Sequence, residues 1–195
     1  FDPQLAGYWG SADPDRAMET AVAIINANAA KVDGVKVSLL DKDKEIAMRR
    51  RLAKGVRMYT GDDFNYAELI AGDAQGYSDA LLGIFDVIAP AASAALVKLA
   101  AGDRAGFDAI LAPTVPLSRQ IFRAPTRFYK AGVVFMAYLN GHQDHFTMVG
   151  GQESTRSALH LAEIFRLADA AGLLRDPALA VARMRAVLAV RGIEA

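Results

Sequence analysis

From Ala17 to about Ala30 apolar residues recur every three or four positions, which predicts an amphipathic helix. Asp13-Pro14 supplies its start, with Asp as the N-cap and Pro at the first helical position. The period then falls to two in Gly34-Val35-Lys36-Val37-Ser38-Leu39-Leu40. A strand there puts Lys36, Ser38 and Leu40 on one face and Val35, Val37 and Leu39 on the other. Helical spacing returns between Asp41 and Leu52 through Ile46, Met48 and Leu52, with Arg49-Arg50-Arg51 on the polar side and Lys54-Gly55 as the stop. Val56 to Thr60 reads as a strand, Asn65 to Ala71 as a short helix, Gly76 to Ala80 as a brief strand or strand-like turn, and Ile84 to Ala101 as a helix. Alternation of this kind means an α/β fold, a parallel sheet with crossover helices.

Beyond Arg104 the strand pattern stops. Helical patterns cover about 104–112, 126–140, 154–171 and 176–190, punctuated by Pro113, Pro116, Pro125 and Gly150-Gly151. Gly172 suits a C-cap, and Asp176-Pro177 opens the last helix. The expected organisation is a strand-bearing domain over 1–101 and a helical one over 102–195. About three strands are too few to close an eight-stranded barrel, so the sheet is expected to be completed elsewhere. The opening segment, Phe1 to Gly10, reads as a loop carrying Phe1, Tyr8 and Trp9 and looks like the interior of a longer protein.

Composition narrows the function classes. The 195 residues are 53% apolar and carry 22 basic and 22 acidic side chains. That balance suits a core-forming domain and argues against a nucleic-acid surface, which needs clustered Lys and Arg. With no cysteine there is neither a disulfide framework nor a thiolate metal site, and a cytoplasmic location is the expectation. No stretch reaches the roughly 18 uninterrupted apolar residues of a membrane span.

Lys36 is the residue that carries chemistry. A strand flanked by helices on both sides is buried on both faces, so its amine is expected to be desolvated, paired or reactive. Burial favours the neutral amine, which can attack a carbonyl to form a Schiff base. The alternative is a structural ion pair with Asp62, Asp63 or Asp79.

The run Asp33-Gly34-Val35-Lys36, then Tyr59-Thr60-Gly61-Asp62-Asp63, then Gly76-Tyr77-Ser78 resembles the second half of the dihydrodipicolinate synthase and N-acetylneuraminate lyase superfamily of class I aldolases. The stretches Tyr59 to Tyr66 and Ala124 to Lys130 are most similar to a dihydrodipicolinate-synthase-like branch. The resemblance implies the C-terminal half of a (β/α)8 TIM barrel followed by a helical extension. It implies a lyase without cofactor in which Lys36 forms an imine with pyruvate or a related 2-oxo acid. Thr60, Gly61, Asp62 and Asp63 would shape the substrate rim, Ser78 would meet the pyruvate carboxylate, and Ser38 would line the pocket beside the lysine. It further implies a homo-oligomer and a need for the barrel's N-terminal half. The family's proton-relay tyrosine would lie upstream of Phe1, with Tyr8 and Tyr59 as substitutes by residue type. Ser38-Leu39-Leu40 departs from the small and acidic residues usual after the lysine, which points to a different second substrate. A barrel that kept the pocket and binds a small acid without turnover is the competing reading.

His142, Asp144 and His145 are metal-capable residues, but their spacing after Gly141 lacks the i, i+4 arrangement of a helical site, and a polar loop fits better. Gly150-Gly151 is too short for a phosphate-binding fingerprint and reads as a turn. Phe128, Tyr129, Phe135 and Tyr138 form an aromatic stripe at helical spacing, suited to a core or a subunit interface.

Overall fold

The computed structural model describes residues 7–194. Phe1 of the opening segment lies outside them, and Gly7 to Trp9 form a short 3-10 turn. The chain divides into two compact units, Phe1–Gly83 and Ile84–Ala195. The break falls ahead of the helices between Ile84 and Ala100, which therefore group with the helical unit and not with the strands.

The first unit alternates helix and strand as its periodicity predicts. Helix α1 (Pro14–Ala27) leads to β1 (Gly34–Val37), α2 (Lys42–Arg49), β2 (Arg57–Thr60), α3 (Tyr66–Ala71) and β3 (Asp79–Ala80). The strands pair in parallel in the order β1-β2-β3, with Lys36 opposite Tyr59, Val37 opposite Thr60, and Tyr59 opposite Asp79. Asp13 caps α1 by accepting from the backbone N–H groups of Asp15 and Arg16, and Asp41 caps α2 through Lys44 N–H. These side-chain oxygens satisfy donors that the first helical turn leaves free.

One sheet face supplies the core. Val37 and Met58 pack with Met18, Ala21, Val22 and Ile25 of α1 and Met48 of α2. Each Val, Ile or Met side chain so buried stabilises the fold by roughly 1.5–3 kcal/mol. The other face is open to solvent at Lys36 and Arg57 and half-buried at Tyr59 and Asp79. There Arg57 pairs with Asp33 at 2.7 Å and lies over the Tyr59 ring, 5.1 Å from its centroid. An exposed pair of this kind adds little stability.

Two predicted elements end earlier than their patterns. The β1 strand stops at Val37 because Leu40 takes a positive φ of 52° and turns the chain into the Asp41 cap. The α2 helix stops at Arg49, and Arg49 is not part of a solvated face: its side chain is only 9% exposed and pairs with Asp73 at 3.0 Å.

The second unit is helical. It comprises α4 (Ile84–Val87), α5 (Ala89–Ala100), α6 (Arg104–Leu111), α7 (Val115–Ile121), α8 (Tyr129–Leu139), α9 (Ala158–Ala170) and α10 (Pro177–Val190). The single helix expected over 84–101 is broken at Ile88, with Pro90 starting the new segment. The α7 helix was not predicted. Pro113 and Pro116 look like breaks but occupy the opening turns of a 3-10 segment and of α7, where a missing N–H costs nothing. Phe107, Leu111, Leu117, Ile121, Phe135, Leu139, Leu161 and Ile164 are fully buried between these helices. Of the aromatic stripe, Phe135 belongs to this core, Tyr129 stacks on Phe122 at 4.7 Å, and Tyr138 lies beside Phe146 at 6.4 Å. Among the described residues no helix is long and apolar enough to cross a membrane.

Candidate functional site

The C-terminal edge of a parallel sheet is where adjacent strand ends and their loops can surround a ligand. Lys36 stands one residue before the end of β1, on the open face, and its side chain runs over Gly61 just past the end of β2. A Cβ built on Gly61 would lie 2.6 Å from Lys36 Cε and 2.9 Å from the Val37 carbonyl oxygen, and it would overlap Ser38 Oγ. Only glycine lets the lysine stem, the Ser38 hydroxyl and the β2 backbone come this close. The Gly61 N–H donates to Val37 O at 2.6 Å, so the contact is pinned by the ladder itself. Replacing Gly61 by alanine is therefore expected to cost about 1–3 kcal/mol and to displace Lys36 and Ser38 together. Urea denaturation would measure the cost, and an unchanged midpoint would contradict the close approach.

Lys36 itself departs from expectation. It is exposed, because the sheet face carrying it is not covered by the helices that bury Val37 and Met58.

Tyr59, the cross-strand neighbour of Lys36, leans the opposite way. Its ring lies against Gly34, where a Cβ would come within 2.6 Å of Tyr59 Cε2, and its hydroxyl donates to Asp33. Hydrogen bonding to Asp33, aided by burial, pushes the Tyr59 phenol above its usual range. Tyr8 is 86% exposed. Neither tyrosine is directed at the lysine stem in the way a proton relay requires.

Thr60 and Ser78 are turned to the other side of the sheet, into a buried polar cluster centred on Glu45 of α2. Thr60 Oγ1 donates to Glu45 Oε2 at 2.9 Å, and Ser78 Oγ donates to Glu45 Oε1 at 2.7 Å. Both hydroxyls are fully buried and Glu45 is 1% exposed. Arg49 donates to Ser78 at 3.2 Å, and the Asp62 N–H donates to Thr60 Oγ1 at 3.1 Å. Burial raises the Glu45 carboxyl above its ordinary value, against the opposing pull of the Ser78 and Thr60 hydrogen bonds. The network ties α2 to the ends of β2 and β3 and so fixes the loops beside Lys36.

Asp62 builds the loop itself. Its carboxylate accepts from Phe64 N–H at 2.7 Å, Asn65 N–H at 2.9 Å and Asn65 Nδ2 at 2.7 Å, a turn that leads into α3. Asp63 is also buried, at 6% exposure. Of the sequence-derived site residues, Lys36, Ser38 and Gly61 thus come together on the open face. The side chains of Thr60, Asp62 and Ser78 are spent holding their own segments. Glu45 escaped the sequence reading, although it lies three residues before Met48 on the apolar side of α2, and a carboxylate at a core position is the signal.

No metal-capable group of three or more His, Cys, Asp or Glu side chains occurs among the described residues. Asp144 pairs with Arg183 at 3.3 Å, and His145 Nδ1 accepts from Thr147 N–H.

A family model described as "Protein of unknown function (DUF993)" matches residues 1–193. The chain belongs to the DUF993 family. A search of curated proteins gives no match. In this DUF993 member the arrangement has three parts: an open sheet face bearing an amine, a glycine cleared for it, and a buried carboxylate bracing the strand ends behind.

Proposed function

We propose that the chain forms the C-terminal part of a (β/α)8 barrel lyase whose Lys36 condenses with pyruvate or a related 2-oxo acid. The observation that carries this reading is the convergence of Lys36, Ser38 and Gly61 at the C-terminal edge of a parallel sheet, on the face that the packed helices leave open. The resemblance to the dihydrodipicolinate synthase and N-acetylneuraminate lyase superfamily supports it, and so does the run of β-α units in sequential parallel order. Further strands covering the open face would enclose the amine and favour its neutral, nucleophilic form. A barrel of that kind would work in the cytoplasm as a homo-oligomer.

In the proposed reaction the Lys36 nitrogen adds to the keto carbon of the 2-oxo acid. Water leaves, and the protonated imine draws electrons from the neighbouring carbon. Loss of a proton from that carbon gives an enamine, which can add to an aldehyde or be formed by the reverse cleavage. The Ser38 hydroxyl borders the same Gly61 position as the lysine stem and is suited to the substrate carboxylate or carbonyl. Gly61 keeps the space in which the imine forms, and the Glu45 cluster acts at one remove by holding the loops. A barrel that binds a small acid without turnover is the second reading.

Enamine formation exchanges the methyl protons of pyruvate with solvent, so incubation of the protein in D2O with pyruvate, followed by proton NMR, tests the proposal. Protein-dependent loss of the methyl signal is expected. Saturable pyruvate binding without exchange would favour the non-catalytic barrel.

A further inference from the structure

The helical unit holds a second polar site, independent of Lys36 and of the lyase reading. A cleft of about 460 Å³ opens at the N-terminus of α9, between α7 and the segment that precedes α9. Ser157 caps α9 by accepting from His160 N–H at 3.2 Å. That leaves the N–H groups of Ala158 and Leu159 without a partner in the helix or its cap, at the positive end of the helix dipole.

Two of the side chains lining it hold a buried nitrogen without an acceptor. Arg156 is 7% exposed. It donates through one terminal nitrogen to Arg123 O at 2.7 Å and Pro125 O at 3.2 Å, while its Nε is buried with no hydrogen-bond partner. His160, also 7% exposed, has a buried Nε2 without a partner. Its tautomer follows from Gln120, whose Nε2 lies 3.2 Å from His160 Nδ1 and donates to the His160 carbonyl at 3.3 Å. An amide nitrogen only donates, so Nδ1 is the acceptor and the ring proton sits on Nε2. Arg123 lines the same cleft, and no ion pair neutralises Arg123 or Arg156 among the described residues. Glu163, the carboxylate of the lining, pairs with Arg166 at 2.8 Å. Buried, unpaired donors of this kind are costly unless a ligand satisfies them.

We propose that this cleft binds a phosphate group, free or on a small phosphorylated metabolite, through Arg123, Arg156, His160 and the first turn of α9. Guanidinium groups and a helix N-terminus together match the charge and the tetrahedral array of acceptors. Burial, with Arg156 and Arg123 nearby, holds the His160 pKa down to about 4 in the empty cleft. A bound dianion opposes those two cations and raises it.

Titration calorimetry at constant ionic strength tests the assignment, with inorganic phosphate and glycerol 3-phosphate as probes and the His160 ring followed by NMR. Saturable binding is expected, weakened about tenfold or more in Arg123→Gln, together with an upward move of the His160 pKa on phosphate addition. Arg123 is exposed, whereas Arg156 is buried and bonds two backbone carbonyls, so this variant avoids the unfolding that loss of Arg156 invites. Tighter binding of glycerol 3-phosphate assigns the site to a phosphate ester, and tighter binding of inorganic phosphate to the free ion. No saturation at concentrations on the order of 10 mM, or equal affinity in Arg123→Gln with an unmoved His160, would overturn the proposal.

Discussion

Replacing Glu45 by alanine is expected to destabilise the protein by about 3 kcal/mol, measured by urea or guanidinium denaturation. Three effects add. The Thr60 and Ser78 hydroxyls, both fully buried, lose their acceptor, at roughly 1–3 kcal/mol for each polar group left unsatisfied. The Ser78 hydroxyl that accepts from Arg49 is no longer held in place, and the deleted side chain leaves a void on the buried side of α2. Against this stands the relief of no longer burying a carboxyl, which keeps the total below the simple sum. A loss under about 1 kcal/mol would contradict the bracing role.

The same residue gives a pH signature. Its folded pKa is raised above the ordinary 4.5, so the folded protein retains a proton that the unfolded chain has released. Stability from this group is complete below the unfolded value and is lost as pH rises through the folded one. Glu45→Gln cannot titrate. Its stability relative to the native protein should improve as pH is raised above about 4.5, and a constant difference would show that Glu45 is ionised in the fold throughout.

Lys36→Arg is expected to abolish imine chemistry while leaving the fold intact. The arginine keeps the positive charge and a stem that can pass over Gly61, but a guanidinium does not condense with a keto acid under these conditions. Pyruvate proton exchange should fall by on the order of a thousandfold, the scale expected when a covalent route is removed. Because Lys36 is exposed, its replacement should alter stability by no more than about 0.5 kcal/mol. If Lys36 were instead a structural cation, exchange in the native protein would be absent and the variant would behave like it. A variant that lost stability and kept its exchange would place the chemistry elsewhere.

Much of the first unit was legible because its signals are local. Asp13-Pro14 dictates the start of α1, the two-residue alternation around Lys36 dictates β1, and Asp41 halts the strand by capping the next helix. What escaped depends on tertiary arrangement. The burial expected for Lys36 assumed that helices or strands cover both sheet faces, whereas among the described residues the helices pack on the Val37 and Met58 face and Lys36 is exposed. Thr60 and Ser78 read as facing a ligand, and in the fold both donate to Glu45, a pairing distant in sequence that no local pattern reveals. The α7 helix was hidden by its own prolines, which mark a start as readily as a stop. Arg156 and His160 carry no signal in the sequence, and what distinguishes them is a buried ring or guanidinium nitrogen without a partner.

The central claim is tested most directly by treating the intact protein with pyruvate and borohydride, then measuring its mass and mapping the modified peptide. The account predicts a single reduced adduct on Lys36 that is absent when pyruvate is omitted. An unmodified protein, or an adduct confined to other lysines, would contradict it.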